Sequence, residues 1–451
     1  MVGAVKQRLG ALLRAPVDIA ALAAFRIAFG TLLCVAALRF FAHRWIHEYY
    51  EVPKHFFHYY GFSWVHPWPG YGMYVHYAAM VVCAACVALG LFYRPAIALF
   101  CALFTYAHFV DKTNYLNHYY LVTCLSLVMT VLPLDRAASV RVWRRPDEAW
   151  SSAPAWCLWI LRFQVACVYF FGGVAKLKAD WLVHAQPLTI WLGANTEFPG
   201  LGRFFHEKAF AYAFSWCGAV FDLTIVGFLL WRRTRPFAYL VVVFFHVVTA
   251  RLFQLGMFPW IMTAMALVFF DPSWPRAVFE RIGLLSRERR EHALPSFPRW
   301  GVPIVVFYAA FELLVPFRHV LYSGNVLWTE EGFRFGWNVM LMEKNGAVDM
   351  TVIDPATHRR WVVDPYDYLT RYQIKMMSTQ PDMILEFAHI VADDYAKRGI
   401  PGVEVHVDAQ VALNGRRPHA LIDPRVDLAK VSEGFGPKPW ILPGPTEAPE
   451  F

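Results

Sequence analysis

Lys176 closes an apolar run, RFQVACVYFFGGVAKLKADW over 162–181, that is long enough for a membrane helix and carries two glycines just ahead of the lysine. An ammonium at the edge of hydrocarbon loses much of its hydration, so burial favours the neutral amine, which can accept a proton. Lys176 is therefore the candidate base. Lys178 lies about 200° away on an ideal helix and is expected to reach the headgroups if Lys176 faces the bundle. Gly172 and Gly173 would let another backbone or a flat ligand approach closely.

His118 follows Asn117 in a run dense in hydrogen-bonding groups, DKTNYLNHYYL over 111–121. A neutral imidazole there could hold an oxygen of a bound ring or orient the lysine, and Asn117 could supply a second hydrogen bond. The stretch HVVTARLFQLGMF, 246–258, offers Phe253, Gly256, Met257 and Phe258 as a clasp for a planar apolar ligand. No HExxH, nucleophile elbow or haem attachment motif occurs, so the sequence supports neither metal nor flavin chemistry. Cys83 and Cys86 are spaced like a redox pair. They sit in an apolar run with no further Cys or His at zinc spacing, and read as packing residues. His47, His55, His58 and His66 fall in an aromatic loop and read as interfacial.

Positioning these groups is a task for membrane helices. The 451 residues are 57% hydrophobic and 17% aromatic, with a mean hydropathy of +0.36, too apolar for a soluble chain of this length. The net charge of +8 lies largely in short connections, which suits membrane orientation and gives no case for nucleic acid. About nine spans are expected, at 18–40, 72–93, 96–110, 118–134, 156–176, 208–231, 236–251, 255–270 and 301–317. The N-terminal stretch is broken by Arg14 and Pro16, unlike a cleavable signal, so the first span is expected to act as anchor. Arg26 within it is expected to be a structural tie.

Basic residues at Lys6, Arg8 and Arg14, at 136–145, at 232–235 and in RERREH at 287–292 alternate with the spans. They place the N-terminus inside and the C-terminal region outside. On that count Asn117, His118, Lys176 and the 251–257 turn share the outer side. The expected organisation is an all-α membrane bundle over 1–320 and a soluble α+β domain, mostly β, over 321–451 on the non-cytoplasmic face. In that domain VDMTVID and RRWVVD form a hairpin, a helix surrounds MILEFAHIVADDYAKRG, GVEVHVDAQVAL is a strand, and the tail is rich in proline.

Segments spread over nearly the whole chain resemble the vitamin K-dependent gamma-glutamyl carboxylases, in the form with a horizontally transferred transmembrane (HTTM) domain. They are LGLFYRPAIALF, VDKTNYLNHYYL, the lysine helix, FHVVTARLFQLGMF, FRFGWNVMLM and ALIDPRVDL, in chain order. In that family a membrane-embedded lysine deprotonates vitamin K hydroquinone and oxygen adds. The strong base so formed takes a γ-proton from glutamate, carbon dioxide captures the carbanion, and the quinone leaves as its epoxide. The resemblance implies that Lys176 is the catalytic lysine and that Asn117 and His118 lie near the quinone. It also implies reduced vitamin K (phylloquinol or menaquinol) with O2 and CO2 as co-substrates, no metal, and a glutamate-containing peptide or protein as partner. The expected location is a plasma or bacterial inner membrane, multi-pass, with the site toward the non-cytoplasmic side.

Departures fall on the carboxylation half. Ala175 stands where animal members have a second lysine, and Phe333, Gly336 and Met342 stand where they have tyrosine, serine and histidine. Trp337, Met340 and Lys344 remain for holding the glutamyl substrate. The alternatives are a quinone epoxidase without carboxylation, or a non-catalytic quinone- or lipid-binding membrane protein. A transporter would show two related halves with broken helices, and no such symmetry is visible.

Overall fold

The computed structural model describes residues 8, 10–253, 255–286 and 301–450. Lys6, Gln254 and the basic run 287–292 lie outside them. Helices stand at each of the nine expected places: α1 (Ala20–Ala42), α2 (Gly72–Leu89), α3 (Tyr93–Phe109), α4 (Asn117–Met129), α5 (Trp156–Ala175), α6 (Lys208–Leu230), α7 (Arg235–Leu252), α8 (Phe258–Met265) and α9 (Gly301–Leu314). Among the described residues only α1, α2, α5, α6, α7 and α9 with its extension to Leu321 are long and apolar enough to cross a membrane. Three of the nine, α3, α4 and α8, with 17, 13 and 8 residues, fall short of that length. With 13 residues, α4 is about 20 Å long, against a hydrocarbon core of about 30 Å. It starts only after the polar run 111–116, so its first turn is also the end of a loop.

The bundle has two chemically different ends. At one, Pro16–Asp18 pairs antiparallel with Ser152–Pro154, Arg276 donates to Asp18 at 2.9 Å and to the Ser151 carbonyl at 3.1 Å, and Arg162 donates to the Val268 carbonyl at 2.8 Å. At the other, Phe258 stands beside His118 and His246, with ring centroids 6.0 and 6.1 Å away. The segment 258–269 therefore runs from one end toward the other, although α8 has only 8 residues before it tightens into a 3-10 turn.

Arg26 is the tie expected of it. Fully buried, it donates to the carbonyls of Leu134 at 3.0 Å and Val87 at 2.9 Å, and also to Ala88, Ala137 and Ala138. Val87 and Ala88 belong to the last turn of α2, whose carbonyls have no partner within the helix. One guanidinium thus joins α1, the end of α2 and the segment after α4.

The C-terminal region carries β1 (Lys344–Ile353), β2 (Arg360–Val363), β3 (Glu404–Leu413) and β4 (His419–Ala420) in one antiparallel sheet of order β2-β1-β3-β4. On β3 the alternating Val405, Val407, Ala409, Val411 and Leu413 are buried, as period two requires. Helix α10 (Arg371–Met377) opens with a capping box of Thr370 and Gln373. Helix α11 (Pro381–Lys397) buries Ile384, Phe387, Ala388 and Val391 in the same core. Strands of 10, 4, 10 and 2 residues stand beside these helices of 7 and 17, so the region is α+β. It is fastened to the bundle by Lys112, whose buried ammonium meets Asp382 at 3.1 Å and Glu386 at 2.9 Å.

Arg26→Leu should strip the hydrogen bonds from these carbonyls and lower stability by at least about 2 kcal/mol. Thermal melting of the detergent-solubilised protein, followed by tryptophan fluorescence, reads this directly; an unchanged melt would remove Arg26 as the tie.

Candidate active site

Helix α5 stops at Ala175, and Lys176 caps it with its backbone N–H on the Gly173 carbonyl at 3.0 Å. A Cβ at Gly173 would stand 2.9 Å from the Leu223 backbone nitrogen and 2.7 Å from its side chain. Only glycine lets α6 come this near. That approach brings Asp222 onto Lys176: Nζ donates to Asp222 Oδ2 at 2.8 Å and to the Gly172 carbonyl at 3.1 Å. Both residues are buried, and Lys176 Nζ lies 5.2 Å from the Trp181 ring centroid. The lysine expected to stand alone among apolar groups is instead one half of a pair. An ammonium with a carboxylate and an amine with a carboxylic acid carry the same zero net charge, so the pair stores one mobile proton without a net buried charge.

The residues just after the lysine are held as firmly. Trp181 Nε1 donates to the Ser215 carbonyl at 2.8 Å. Asp180 accepts from Arg416 at 2.6 Å and from Asn414 at 2.8 Å. Burial alone would raise the Asp180 carboxyl, but Arg416 and Asn414 hold it below the usual carboxylate range. Lys178 lies beyond the end of α5, so the helical face argument does not reach it. It is half-buried, lines neither the cavity at Lys176 nor the one at His118, and burial draws its ammonium down to about 8 against the opposing pull of Asp180.

Lys176 opens into a narrow cavity of about 80 Å3, whose walls include Tyr169, Asp222, His246 and Phe253. Tyr169 and His246 Nε2 share a hydrogen bond of 2.9 Å, and the buried His246 Nδ1 has no partner among the described residues. A second cavity, of about 540 Å3, is lined by Asn117, His118, Gly256 and Met257 with Phe40, Trp45, Phe100 and Phe104. Leu255, Phe258, Val339 and Met340 line both. Two side chains from the turn before and at the start of α8, and two from the C-terminal region, are the common wall.

The second cavity has the size of a site for a drug-sized ring, whereas the first holds only a small reactant or a few waters. His118 is buried, and among the described residues neither ring nitrogen has a hydrogen-bond partner. Gly256, at φ +58°, lays its backbone over that imidazole, and a Cβ there would come within 3.9 Å of it. Asn117 donates to the Asn338 carbonyl at 3.0 Å and accepts from Tyr115 at 3.1 Å. Phe253 packs on Trp191 with centroids 5.5 Å apart.

Two expected substrate residues lie elsewhere. Trp337 is fully buried against Tyr120, at 4.8 Å between centroids, outside both cavities. Lys344, half-buried on β1 with its side chain enclosed, donates to Glu330 at 2.9 Å and to the Trp328 carbonyl at 3.0 Å. In this stretch Phe335, Trp337 and Met340 all take positive φ near +60°, a conformation costly for residues with a Cβ. The strain lies in the segment that carries Val339 and Met340 into both cavities.

Asp222 and His246 were missed by the sequence reading. The signal was present, since a lone carboxylate or imidazole within an apolar helix marks a functional site by default. What was lacking was the partner, 46 residues from Lys176.

A family model described as HTTM domain matches residues 14–274, and one described as vitamin K-dependent gamma-carboxylase, lumenal domain, matches residues 298–447. No solved structure matches the chain.

Removing one member of the Lys176 and Asp222 pair should cost about 3–5 kcal/mol, whereas replacing both with apolar residues should be close to neutral. Asp222→Leu and Lys176→Met should each melt well below the parent, and the double variant near it. If Asp222→Leu alone melts like the parent, the pair does not carry the packing of α5 on α6.

Proposed function

Since the chain belongs to the vitamin K-dependent gamma-carboxylase family, we propose that it is an integral membrane enzyme that couples oxidation of a reduced naphthoquinone by O2 to carboxylation of glutamate. The observation that carries this reading is the buried Lys176 and Asp222 pair in a small cavity that shares four wall residues with a ring-sized one containing His118.

The second cavity fits such a ring. Its volume is adequate, its walls are aromatic, and the free imidazole of His118 offers a hydrogen bond to a ring oxygen, with Asn117 held beside it. When bound, the reduced quinone supplies the reducing power that O2 draws on. The chain's own residues bind, exclude water and move one proton. Lys176 takes that proton at Nζ once the pair has released its stored one and stands as amine beside carboxylate, and the Asp222 carboxylate then lies against the charge that Nζ gains. CO2 and O2 are small enough for the 80 Å3 space around Nζ. No metal takes part in this reading.

A second reading, quinone oxidation without carboxylation, is favoured by one observation. Lys344, the cation expected for the substrate carboxylate, is already neutralised by Glu330. We further propose that the end of the bundle bearing Lys176, together with residues from about 321 onward, faces the non-cytoplasmic side of a plasma or bacterial inner membrane.

Purified protein given reduced vitamin K, O2, labelled bicarbonate and a glutamate-containing peptide should yield epoxide and fixed label. Epoxide without label would select the second reading, and neither product would make the chain a quinone- or lipid-binding protein. Lys176→Ala should reduce epoxide formation at least about a hundredfold and His118→Ala should weaken it, while Lys178→Ala should keep most of it. Normal turnover in Lys176→Ala would end the assignment of the base. For sidedness, a cysteine replacing Lys375 should react with an impermeant maleimide in intact cells; labelling only after permeabilisation would invert the orientation.

A further inference from the structure

A third cavity, of about 580 Å3, lies where α3, α4 and the end of α9 meet the C-terminal region. His108 and Tyr119 line both this space and the His118 cavity. Their rings are stacked with centroids 3.9 Å apart, so the partition between the two spaces is a single ring pair. Among the described residues His108 Nε2, buried there, has no hydrogen-bond partner, which is costly unless a ligand satisfies it. On the far side the cavity reaches solvent at Tyr60 and Phe435, whose rings are 5.0 Å apart and largely exposed.

Four cations, Lys112, Arg318, Arg334 and Lys438, and four carboxylates, Glu330, Glu331, Asp382 and Glu433, line this cavity. Lys112 is taken by Asp382 and Glu386, Arg334 by Asp382, and Lys438 by Glu331. Arg318 differs. Among the described residues it meets no carboxylate, and its guanidinium donates only to the carbonyls of Val315 and Arg334. Glu312, six residues before it, is held instead by neutral donors, Tyr120 at 2.7 Å, Cys124 at 3.3 Å and Gln164 at 3.2 Å. A guanidinium beside aromatic walls and without a counter-ion calls for an anion, and its planar fork matches a carboxylate.

We propose that the third cavity binds the carboxylate-bearing side chain of a peptide, with Arg318 holding the carboxylate, the aromatic walls covering apolar flanking residues, and His108 with Tyr119 as the partition from the His118 cavity. This deepens the function proposed above, on which it rests for the occupant of the neighbouring cavity but not for its own binding. It also supplies the cation that Lys344, paired with Glu330, does not.

The full-length protein in detergent, titrated with N-acetyl-Leu-Glu-Leu-amide and its Gln counterpart, tests this by calorimetry without turnover. The Glu peptide should bind at least about tenfold more tightly than the Gln peptide, the worth of one charge-assisted hydrogen-bonded pair. Arg318→Met, in a preparation that melts like the parent, should abolish that preference. Equal binding of the two peptides by the parent, or an undiminished preference in Arg318→Met, would overturn the proposal. Should Arg318→Met not fold, Phe435→Cys in the otherwise unchanged chain keeps the question open to measurement. The Glu peptide should slow maleimide alkylation of the introduced thiol and the Gln peptide should not; equal rates with and without the Glu peptide would overturn it. Arg318-dependent binding without epoxide formation would retire the enzymatic reading and keep this cavity, and the reverse result would do the opposite.

Discussion

Two opposite charges placed inside an apolar bundle must lie close together, and the pairing of Lys176 with Asp222 at 2.8 Å constrains everything around it. Taking either charge out of water alone would cost several kcal/mol, so the end of α5 has to meet the middle of α6 at one level. Gly173 permits that meeting by leaving room for Leu223. Directly after the lysine, Trp181 is hydrogen-bonded to α6 and Asp180 to Arg416 of the C-terminal region. The catalytic candidate and the residues after it are therefore held by two elements remote in sequence, α6 and the C-terminal region.

The C-terminal region is consequently part of the site rather than an appendage to it. Val339 and Met340 complete the wall between the small cavity and the ring-sized one, on a segment whose positive φ values are tolerated only because its surroundings dictate them. Asn338 offers its carbonyl to Asn117, and Tyr115 receives the Phe335 N–H at 2.6 Å. Lys112, with Asp382 and Glu386, clamps α11 against the loop that precedes α4. Loosening this junction would alter both cavities at once.

Two arginines, one buried and one half-buried, order the remainder of the bundle in a different manner. Arg26 and Arg162 have no carboxylate partner among the described residues and donate to backbone carbonyls instead. Such carbonyls, at helix ends and in irregular turns, would otherwise be unsatisfied away from water. This explains how segments as short as α4 and α8 persist inside a membrane protein, because their free backbone groups are met by side chains of longer neighbours.

The sequence by itself determined what depends on local pattern. Apolar runs located helices at all nine places, alternation located β3, and a lysine after two glycines marked the end of α5, because hydrophobic periodicity and helix termination are encoded within a few residues. Lys176, Asn117 and His118 were legible as candidates for the same reason, being polar groups at the limits of apolar stretches. Pairing was not legible. Asp222 on Lys176, Glu330 on Lys344 and Asp180 on Arg416 join residues 46, 14 and 236 positions apart, and whether a cation is free or neutralised depends on which carboxylate folding brings to it. The lengths of α4 and α8, the removal of Trp337 from both cavities, and the row of three cavities likewise belong to the tertiary structure, since each is set by how distant elements pack and not by any residue's own neighbours in the chain.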